Sequence, residues 1–421
     1  MVYVLDKVGK PLMPTERHGK VRRLLRDGMA HVVRLQPFTI QLDYESKRFK
    51  QEVSLGVDAG SVHIGVSATT EKKELFSAEV ILRTDIVKKI ANRLEMRRNR
   101  RHRKTRYRQA RFDNRRKTEG WLAPSIRYKV ESHLKVIRMV HSLLPVSKTT
   151  IEVAQFDAQK MKNDAIQGVE YQQGEQMGFW NVREYVLARD NHQCQHCKGK
   201  SGDNILNVHH LESRMTGGNA PNNLITLCET CHKAYHRGEF ELNIKRGTSL
   251  RDAAAMNIIR YAVYERAQKE FRNIHLTYGY FTKYTRIHNS VEKTHNSDAF
   301  CITMNVKAQR KSSYYKMRCI PRHTRSLHVC NPKKNGIRRN SVATHWVCNK
   351  LQKYDFVEIN NKRGYIFGST HNYPIVRDID GKQLFDKPYT TSKNIRLVRR
   401  KKSSIISIQY ESTQGNNQES V

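Results

Sequence analysis

The stretch that decides the fold is Ser54-Leu55-Gly56-Val57-Asp58-Ala59-Gly60. Its apolar residues predict a strand that ends in an acid and a glycine turn, and residues Ile64 to Ala68 predict a second strand directly after it. The sequence therefore predicts a β-hairpin with Asp58 at its mouth.

A helix and further strands follow this hairpin along the chain. Apolar residues recur at helical spacing until Pro145, at Ile126, Val130, Leu134, Ile137, Val140 and Leu144. Residues Thr149 to Phe156 then predict a strand that contains Glu152, and a later helix is predicted to begin just after His295. A helix that leads into a strand is typical of an α/β layer.

Three acids in or beside these elements are candidate metal ligands: Asp58, Glu152 and Asp298. Glu152 lies in an apolar strand, where a lone carboxylate is costly without a charge or metal partner. Asp58 also fits a surface or capping acid, and Asp298 also fits the N-cap of a helix. Cleavage of a phosphodiester by a two-metal mechanism needs several such carboxylates to converge.

The charge of the chain indicates the class of its partner. Its 421 residues include 77 Lys and Arg against 39 Asp and Glu, which gives a formal net charge of +38. A polyanion relieves this self-repulsion, and nucleic acid is favoured over a membrane because the sequence has no long apolar run and no lipid-anchor signal. Residues Arg93 to Lys117 predict a helix that is cationic on every side, since 13 of the 25 are Lys or Arg.

Four cysteines form two C-x-x-C pairs, Cys194 with Cys197 and Cys228 with Cys231. The N-terminus lacks the features of a secretory signal, so the chain is expected in a reducing cytoplasm, where paired cysteines indicate metal rather than disulfides. Four soft ligands predict a closed tetrahedral zinc site.

Histidines form a second cluster in the same block. His209 and His210 end a predicted strand, while His232 and His236 lie four residues apart on one helical face, where they can bind one cation together. The alternative is a purely structural zinc module whose histidines are surface residues.

This block, from Tyr185 to about Phe240, resembles the HNH nuclease family in its zinc-stapled ββα form. The resemblance implies that His210 is the general base for the attacking water and that Asn223 braces the loop that carries it. The implied ligands of a divalent cation are His209, His232 and, as a weaker third, His236.

The three acids, with the HNH block between the second and the third, resemble the split RuvC domain, which has an RNase H-like fold. The resemblance implies that Asp58, Glu152 and Asp298 bind Mg²⁺ or Mn²⁺ and that His295 assists proton transfer or the attacking water. Ala59 stands where many relatives have proline, and Glu152 is followed by Val153-Ala154-Gln155-Phe156 rather than the usual asparagine-containing form. Neither departure removes a ligand.

The whole layout resembles the IscB family, transposon-associated RNA-guided DNA endonucleases related to the type II CRISPR effectors. The Arg-rich helix, the HNH insertion, the leading Pro11-Leu12-Met13-Pro14 motif and Arg325-Ser326-Leu327-His328 before a β-rich unit carry this resemblance. It implies a multidomain α/β fold, with an RNase H-like (RuvC) mixed sheet split in three segments. An inserted zinc-stapled ββα HNH domain, an Arg-rich bridge helix and a small β-barrel-like C-terminal unit complete the implied architecture.

The resemblance also implies domain boundaries. They are a PLMP N-terminal domain at 1–50, RuvC-I at 51–90, the bridge helix at 91–120, RuvC-II at 121–160, a linker at 161–184, HNH at 185–242, RuvC-III at 243–308, a domain that contacts the target-adjacent motif at 309–410, and a disordered tail at 411–421.

The function implied is cleavage of double-stranded DNA, in which HNH cuts the guide-paired strand and RuvC cuts the displaced strand. A large structured omega RNA supplies the guide, and the particle is expected to be a monomeric ribonucleoprotein of the prokaryotic cytoplasm and nucleoid, with no membrane partner. The arginines expected to contact phosphates are Arg97, Arg98, Arg101, Arg103, Arg106 and Arg108. Two alternatives stay open, a catalytically decayed accessory protein that binds RNA or DNA and a protein-guided homing-type nuclease.

Overall fold

The computed structural model describes residues 1–47, 49–101, 120–153, 176, 179–212, 219–242, 251–321, 350–370, 373–385 and 395–410. The chain divides into two compact units. The first combines Met1–Ala154 with Met256–Val421, and the second is the segment Gln155–Ala255 between them. The predicted Cys/His block at 185–242 lies inside the second unit.

Helices and strands are numbered in chain order. The helices are α1 (His18–Arg26), α2 (Ile86–Arg101), α3 (Pro124–His141), α4 (Val182–Arg189), α5 (Glu229–Arg237), α6 (Arg251–Glu270), α7 (Gly279–His288) and α8 (His295–Ile302). The strands are β1 (Tyr3–Leu5), β2 (Ala30–Arg34), β3 (Thr39–Leu42), β4 (Ser54–Ala59), β5 (His63–Thr69), β6 (Glu74–Ile81), β7 (Lys148–Val153), β8 (Leu206–His210), β9 (Leu224–Cys228), β10 (Ile274–Tyr278), β11 (Ser313–Cys319), β12 (Phe356–Ile359), β13 (Lys362–Thr370), β14 (Tyr373–Arg377), β15 (Arg396–Arg399) and β16 (Ser404–Tyr410). Every helix in the described part of the chain is too short or too polar to cross a membrane.

The first unit contains a seven-stranded mixed sheet in the order β10-β7-β4-β5-β6-β11-β16. Strands β4, β5 and β6 pair antiparallel in succession, which confirms the hairpin predicted around Asp58. Strand β7 lies parallel to β4, and β10 lies parallel to β7. On the other side β11 lies parallel to β6, and β16 lies antiparallel to β11. The predicted multidomain α/β fold with a mixed sheet is therefore confirmed.

The structure differs from the predicted boundary of the C-terminal domain. We expected residues 309–410 to form one separate domain, yet β11 and β16 near its two ends belong to the large sheet. The physical reason is that the outer edge of β6 offers unpaired backbone groups, which β11 pairs with over residues 78–81. Strand β16 then pairs with the outer edge of β11.

Strands β12 to β15 form a separate antiparallel sheet in the order β14-β13-β12-β15. Asn360 and Asn361 join β12 to β13, and both residues have positive φ angles, of 48° and 60°. Val357, Ile359 and Ile366 supply its core. Among the described strands, β14 and β15 lie at the two edges of this sheet and do not pair with each other. The barrel-like form therefore stays a prediction.

Helix α8 packs on β4 and β5 at two glycines. A Cβ atom on Gly56 would lie 2.1 Å from the carbonyl oxygen of Ala299, and one on Gly65 would lie 1.8 Å from that of His295. Because no side chain fits there, the helix backbone approaches the sheet directly. This contact fixes the first turn of α8 above the end of β4.

The N-terminal segment forms a three-stranded sheet in the order β1-β3-β2, with α1 beside it. Leu12 of the PLMP motif is buried, and its backbone N–H donates to the carbonyl oxygen of Val4 at 2.9 Å. We did not predict β2, because its middle residues are exposed and lack alternation of apolar and polar side chains.

The second unit contains a ββα arrangement. Strands β8 and β9 pair antiparallel, with His209 opposite Ile225 and His210 opposite Leu224, and α5 follows β9 directly. Helix α4 begins ahead of the predicted boundary at residue 185, because the side chain of Asn181 caps it by accepting from the Glu184 N–H at 3.0 Å. The predicted motif at residues 325–328, the tail at 411–421 and most of the linker at 161–184 lie outside the described residues.

Candidate functional site

The four paired cysteines of the second unit converge. Their sulfur atoms all lie within 4.8 Å of one another. Cys228 ends β9 and caps α5, where its sulfur accepts from the Cys231 N–H at 3.4 Å. Cys194, Cys228 and Cys231 are buried, which shields the group from water. Four soft donors at this spacing fit the tetrahedral zinc site that the sequence predicts.

The acidity of the thiols agrees with a cation at this position. Burial raises the pKa of Cys197, but hydrogen bonds from the Ser201 hydroxyl and backbone outweigh it and bring the pKa to about 6. Burial and hydrogen bonds to the neighbouring cysteines raise the pKa of Cys231 well above its usual value. The thiols therefore cannot all ionise side by side unless a metal ion compensates their charge.

Three histidines of the same unit form a second group. The donor atoms of His209, His232 and His236 all lie within 4.8 Å of one another, and the Nε2 atoms of His232 and His236 are 3.3 Å apart. The Nε2 atom of His209 is buried without a hydrogen-bond partner. Burial, followed by the neighbouring imidazoles, lowers the pKa of His209 to about 4, so its ring is neutral at neutral pH. Three imidazoles that converge in this way fit a divalent cation.

The loop after β8 is held by an asparagine. Asn223 is fully buried; its Oδ1 atom accepts from the Glu212 N–H at 2.9 Å and its Nδ2 atom donates to the Glu212 carbonyl at 3.0 Å. The backbone N–H of Leu211 donates to the carbonyl oxygen of Asn223 at 2.9 Å. His210 lies just before this brace, and its Nε2 atom is 3.0 Å from Oδ1 of Asn219. Asn223 thus binds the backbone of Glu212 in this loop, and its role in supporting His210 stays a prediction.

The three acids of the first unit lie on neighbouring elements. Asp58 is near the end of β4, Glu152 is in β7 beside it, and Asp298 is in the first turn of α8. Burial raises the pKa of Glu152 and of Asp298, and in both cases the charge of Asp58 raises the pKa further. The carboxylates are thus close enough to repel one another. Their spacing is wider than that of the cysteine and histidine groups, because their oxygens do not all lie within 4.8 Å.

Asp298 is not the N-cap that the alternative interpretation required. The Thr294 hydroxyl fills that position by accepting from the Ser297 N–H at 3.2 Å. Asp298 instead pairs with Arg286 of α7 at 3.1 Å. Its carboxylate therefore does not cap the helix.

A buried cation lies among these acids and was not predicted. Arg260 of α6 donates from Nε to the carbonyl oxygen of Ala59 at 2.9 Å and from Nη2 to Glu152 at 3.4 Å. It is 7% exposed, and it lies on the same face of α6 as the buried residues Met256, Ile259 and Val263. A charged residue at a core position of a helical repeat is the signal that could have identified it.

His295 contacts the acid group directly. Its Nδ1 atom is 2.7 Å from Oδ2 of Asp58, and this hydrogen bond raises the pKa of His295. Its ring stacks on the ring of His63 with a centroid distance of 5.0 Å and an interplanar angle of 8°. The Nδ1 atom of His63 is in turn 2.6 Å from Oε1 of Glu79. Neither His63 nor Glu79 was predicted.

The predicted arginine helix is described only in its first half. Arg97 and Arg98 of α2 are exposed to solvent. Arg101 ends α2, while Arg103, Arg106 and Arg108 lie outside the described residues. Contact of this helix with phosphates therefore stays a prediction.

Comparison with known proteins identifies two regions of the chain. A family model described as "RRXRR protein" matches residues 2–174, and one described as "HNH endonuclease" matches residues 194–238. Anaredoxin of Nostoc sp. (strain PCC 7120) is 38% identical over 66 residues, which are 15% of this chain and 84% of Anaredoxin.

Two solved structures of Streptococcus thermophilus Cas9 are also similar. The complex with the AGAA PAM has 14% identity and a TM-score of 0.30 over 44% of this chain. The complex with the GGAA PAM has 13% identity and a TM-score of 0.31 over 45% of this chain. In both cases the chain spans about a quarter of the Cas9 length, 26%.

The RRXRR match at residues 2–174 precedes the HNH match at residues 194–238 along the chain. The HNH model takes in both cysteine pairs and all the predicted HNH histidines. This chain therefore carries an RRXRR region followed by an HNH endonuclease domain, which is consistent with the IscB family.

Proposed function

We propose that this protein is an RNA-guided endonuclease that cuts both strands of a DNA duplex, one at each of two centres. The observation that carries the proposal is that one chain holds two separate groups of side chains suited to phosphodiester hydrolysis. The second unit contributes an imidazole group beside an exposed histidine, and the first contributes three mutually repelling carboxylates with a histidine.

In the HNH centre, His210 takes the proton from the attacking water. Its ring is partly exposed at the end of β8, and the Asn223 brace fixes the loop beside it. His209, His232 and His236 hold the divalent cation, which stabilises charge that develops on the phosphate when it is bound. The Cys194, Cys197, Cys228 and Cys231 zinc site anchors both ends of the motif and has no part in the chemistry. This centre cuts the guide-paired strand.

In the RuvC-like centre of the RNase H-like sheet, Asp58, Glu152 and Asp298 hold Mg²⁺ or Mn²⁺. The raised pKa values of Glu152 and Asp298 support this, since they reflect burial and a concentration of negative charge that a divalent cation relieves. Bound metal supplies an activated water and stabilises the leaving oxygen. His295, held by Asp58, is placed to take or return a proton. This centre cuts the displaced strand.

The guide would be a large structured omega RNA bound by the same chain as a monomeric ribonucleoprotein. The net charge of +38 supports a large polyanionic partner. The exposed Arg97 and Arg98 are suited to phosphates, which add affinity without sequence preference. Base pairing then selects the target, and the C-terminal region reads a short flanking motif.

Strand-resolved cleavage tests the division of labour. The protein is purified with its native RNA and given a duplex labelled separately on each strand. We expect His210→Ala to leave only the displaced-strand cut and Asp58→Ala to leave only the paired-strand cut. Asp27→Asn, which removes a surface carboxylate bonded to Arg26, is the control and should leave both cuts.

Three results would contradict the proposal. Loss of both cuts from either variant would mean that the centres do not act separately. Cleavage at a fixed site without RNA would favour a protein-guided homing-type nuclease, and RNA binding without any cleavage would favour a catalytically decayed accessory protein.

A further inference from the structure

A histidine and a glutamate lie next to the acid group without belonging to it. His63 begins β5, and Glu79 lies in β6, opposite Gly65 in the register of the two strands. The two side chains are therefore diagonal neighbours on one face of the sheet. Their 2.6 Å contact joins Oε1 of Glu79 to Nδ1 of His63.

His295 completes a group of three donors. His63, Glu79 and His295 each offer one donor atom, and these three atoms lie within 4.8 Å of one another. The same limit holds for the donor atoms of the cysteine group and of the histidine group in the second unit. All three residues are partly exposed, so an ion from solution can reach them. They come from two strands and a helix, and the approach of α8 at Gly65 holds them together.

Both histidines are oriented in the way that metal-binding histidines usually are. A carboxylate holds the Nδ1 atom of each ring, Glu79 for His63 and Asp58 for His295. Such a bond favours, among the neutral forms, the tautomer with its proton on Nδ1, whose Nε2 lone pair can bind a metal ion in place of a proton; it is the usual support of a histidine ligand. The rings are stacked with an angle of 8° between their planes, so they must turn for the two lone pairs to converge.

We propose that His63, His295 and Glu79 bind a divalent transition-metal ion, such as Zn²⁺, and that this ion inhibits the RuvC-like centre by occupying His295. Two imidazoles and a carboxylate suit zinc and its neighbours, whereas Mg²⁺ prefers the oxygen ligands of the acid group. Metal at this site withdraws the free nitrogen of His295 from proton transfer. The inhibitory part rests on the function proposed above, while the metal site itself does not.

Metal uptake by the full-length protein tests the site. The protein is dialysed against Zn²⁺ at low micromolar concentration, and bound zinc is counted by mass spectrometry. We expect His63→Ala to bind one equivalent of zinc less than the wild type. Glu79→Gln is a milder change, included in case His63→Ala misfolds. It should bind the same equivalent of zinc about 10-fold to 100-fold more weakly than the wild type. Circular dichroism checks that both variants are folded.

His31→Ala is the matched control, because His31 also contacts a carboxylate through Nδ1, that of Asp43 at 2.9 Å. His31 belongs to none of the donor groups found in the described part of the chain, so this variant should bind as much zinc as the wild type. Equal zinc in His63→Ala and the wild type would overturn the proposal.

Displaced-strand cutting at constant Mg²⁺ with increasing Zn²⁺ tests the inhibition. Inhibition should need about tenfold more zinc in Glu79→Gln than in the wild type, while His31→Ala follows the wild type. The same inhibition curve for Glu79→Gln and the wild type would overturn the inhibitory role. His63→Ala could bind one zinc ion less than the wild type while the wild type itself never cuts the displaced strand. That result would support the metal site and contradict the proposed function.

Discussion

Arg260 is a buried arginine whose guanidinium contacts Glu152 at 3.4 Å and the carbonyl oxygen of Ala59 at 2.9 Å. We expect Arg260→Met to destabilise the first unit by about 3 kcal/mol, since removal of one partner leaves a buried carboxylate uncompensated. Hydrogen exchange of β4 and β7 in Mg²⁺-free buffer measures this. Arg266→Met is the control, because the ion pair of Arg266 with Glu131 is exposed. It should lower the free energy of unfolding by less than about 1 kcal/mol. Equal effects at both positions would contradict the argument.

His133 of α3 is fully buried, and its Nδ1 atom donates to the Lys129 carbonyl at 2.8 Å. Burial lowers the pKa of His133 to about 4. Below pH 6.5 His133 binds a proton in the unfolded chain but not in the folded chain. The contribution of His133 to the free energy of unfolding is therefore fully present above pH 6.5 and is lost as the pH falls towards 4. Because of this residue alone, the free energy of unfolding should be lower by on the order of 2 kcal/mol at pH 5 than at pH 7.

Thermal melting of the wild type and His133→Leu between pH 7 and pH 5 checks this dependence. The leucine variant should lose less stability on acidification, because it has no group to titrate. Parallel pH profiles would show that His133 is not responsible.

Single residues differ in how well the sequence reveals them. Glu152 could be predicted because a carboxylate in an apolar strand needs a partner, and the structure places it beside Asp58. His63 and Glu79 could not, since each is ordinary within its own segment, and Arg260 was missed although its charge at a core position of a helical repeat could have identified it. Only the pairing of β5 with β6 and the packing of distant helices bring them to the acids.

Among the elements, α8 and β5 form the closest contact that the acid group depends on. We expect Gly65→Ala to destabilise the first unit by about 1–3 kcal/mol, because the added methyl would lie 1.8 Å from the His295 carbonyl and must push α8 away. Displaced-strand cutting should fall with it, since α8 carries His295 and Asp298. Hydrogen exchange of β5 and strand-resolved cleavage measure the two effects.

Gly19→Ala is the control for this substitution. Gly19 lies in α1 with open space around it, and alanine there should stabilise the helix by up to about 1 kcal/mol. A Gly65→Ala variant as stable as the wild type would show that α8 can move without cost.

Elements with clear periodicity were predicted well. The spacing from Ile126 to Leu144 corresponds to α3, which covers Pro124–His141. Strand β2 was missed because its valines face solvent, and β11 was assigned to the wrong part of the fold because its pairing with β6 spans more than two hundred residues. Propensity and periodicity are local, whereas pairing partners are not.

For the whole molecule, the structural zinc of the four paired cysteines should stabilise the second unit and not the first. We expect Cys194→Ser to lose zinc and to unfold the second unit, because binding of a structural zinc ion is coupled to folding. Zinc content and hydrogen exchange of β8 and β9, compared with those of β4 and β5, measure this. Cys319→Ser, which changes a cysteine of β11 outside the zinc group, should keep its zinc. A folded, active Cys194→Ser protein would contradict the zinc assignment.

The interrupted order of the large sheet has a consequence for synthesis of the protein. Strand β7 ends at Val153, but its parallel neighbour β10 begins only at Ile274, after the entire second unit. During translation β7, which is buried in the folded protein, is therefore made long before its outer edge can be paired. A nascent chain that stalls in this interval exposes an open strand edge, which favours aggregation with other chains until the ribosome has passed β10.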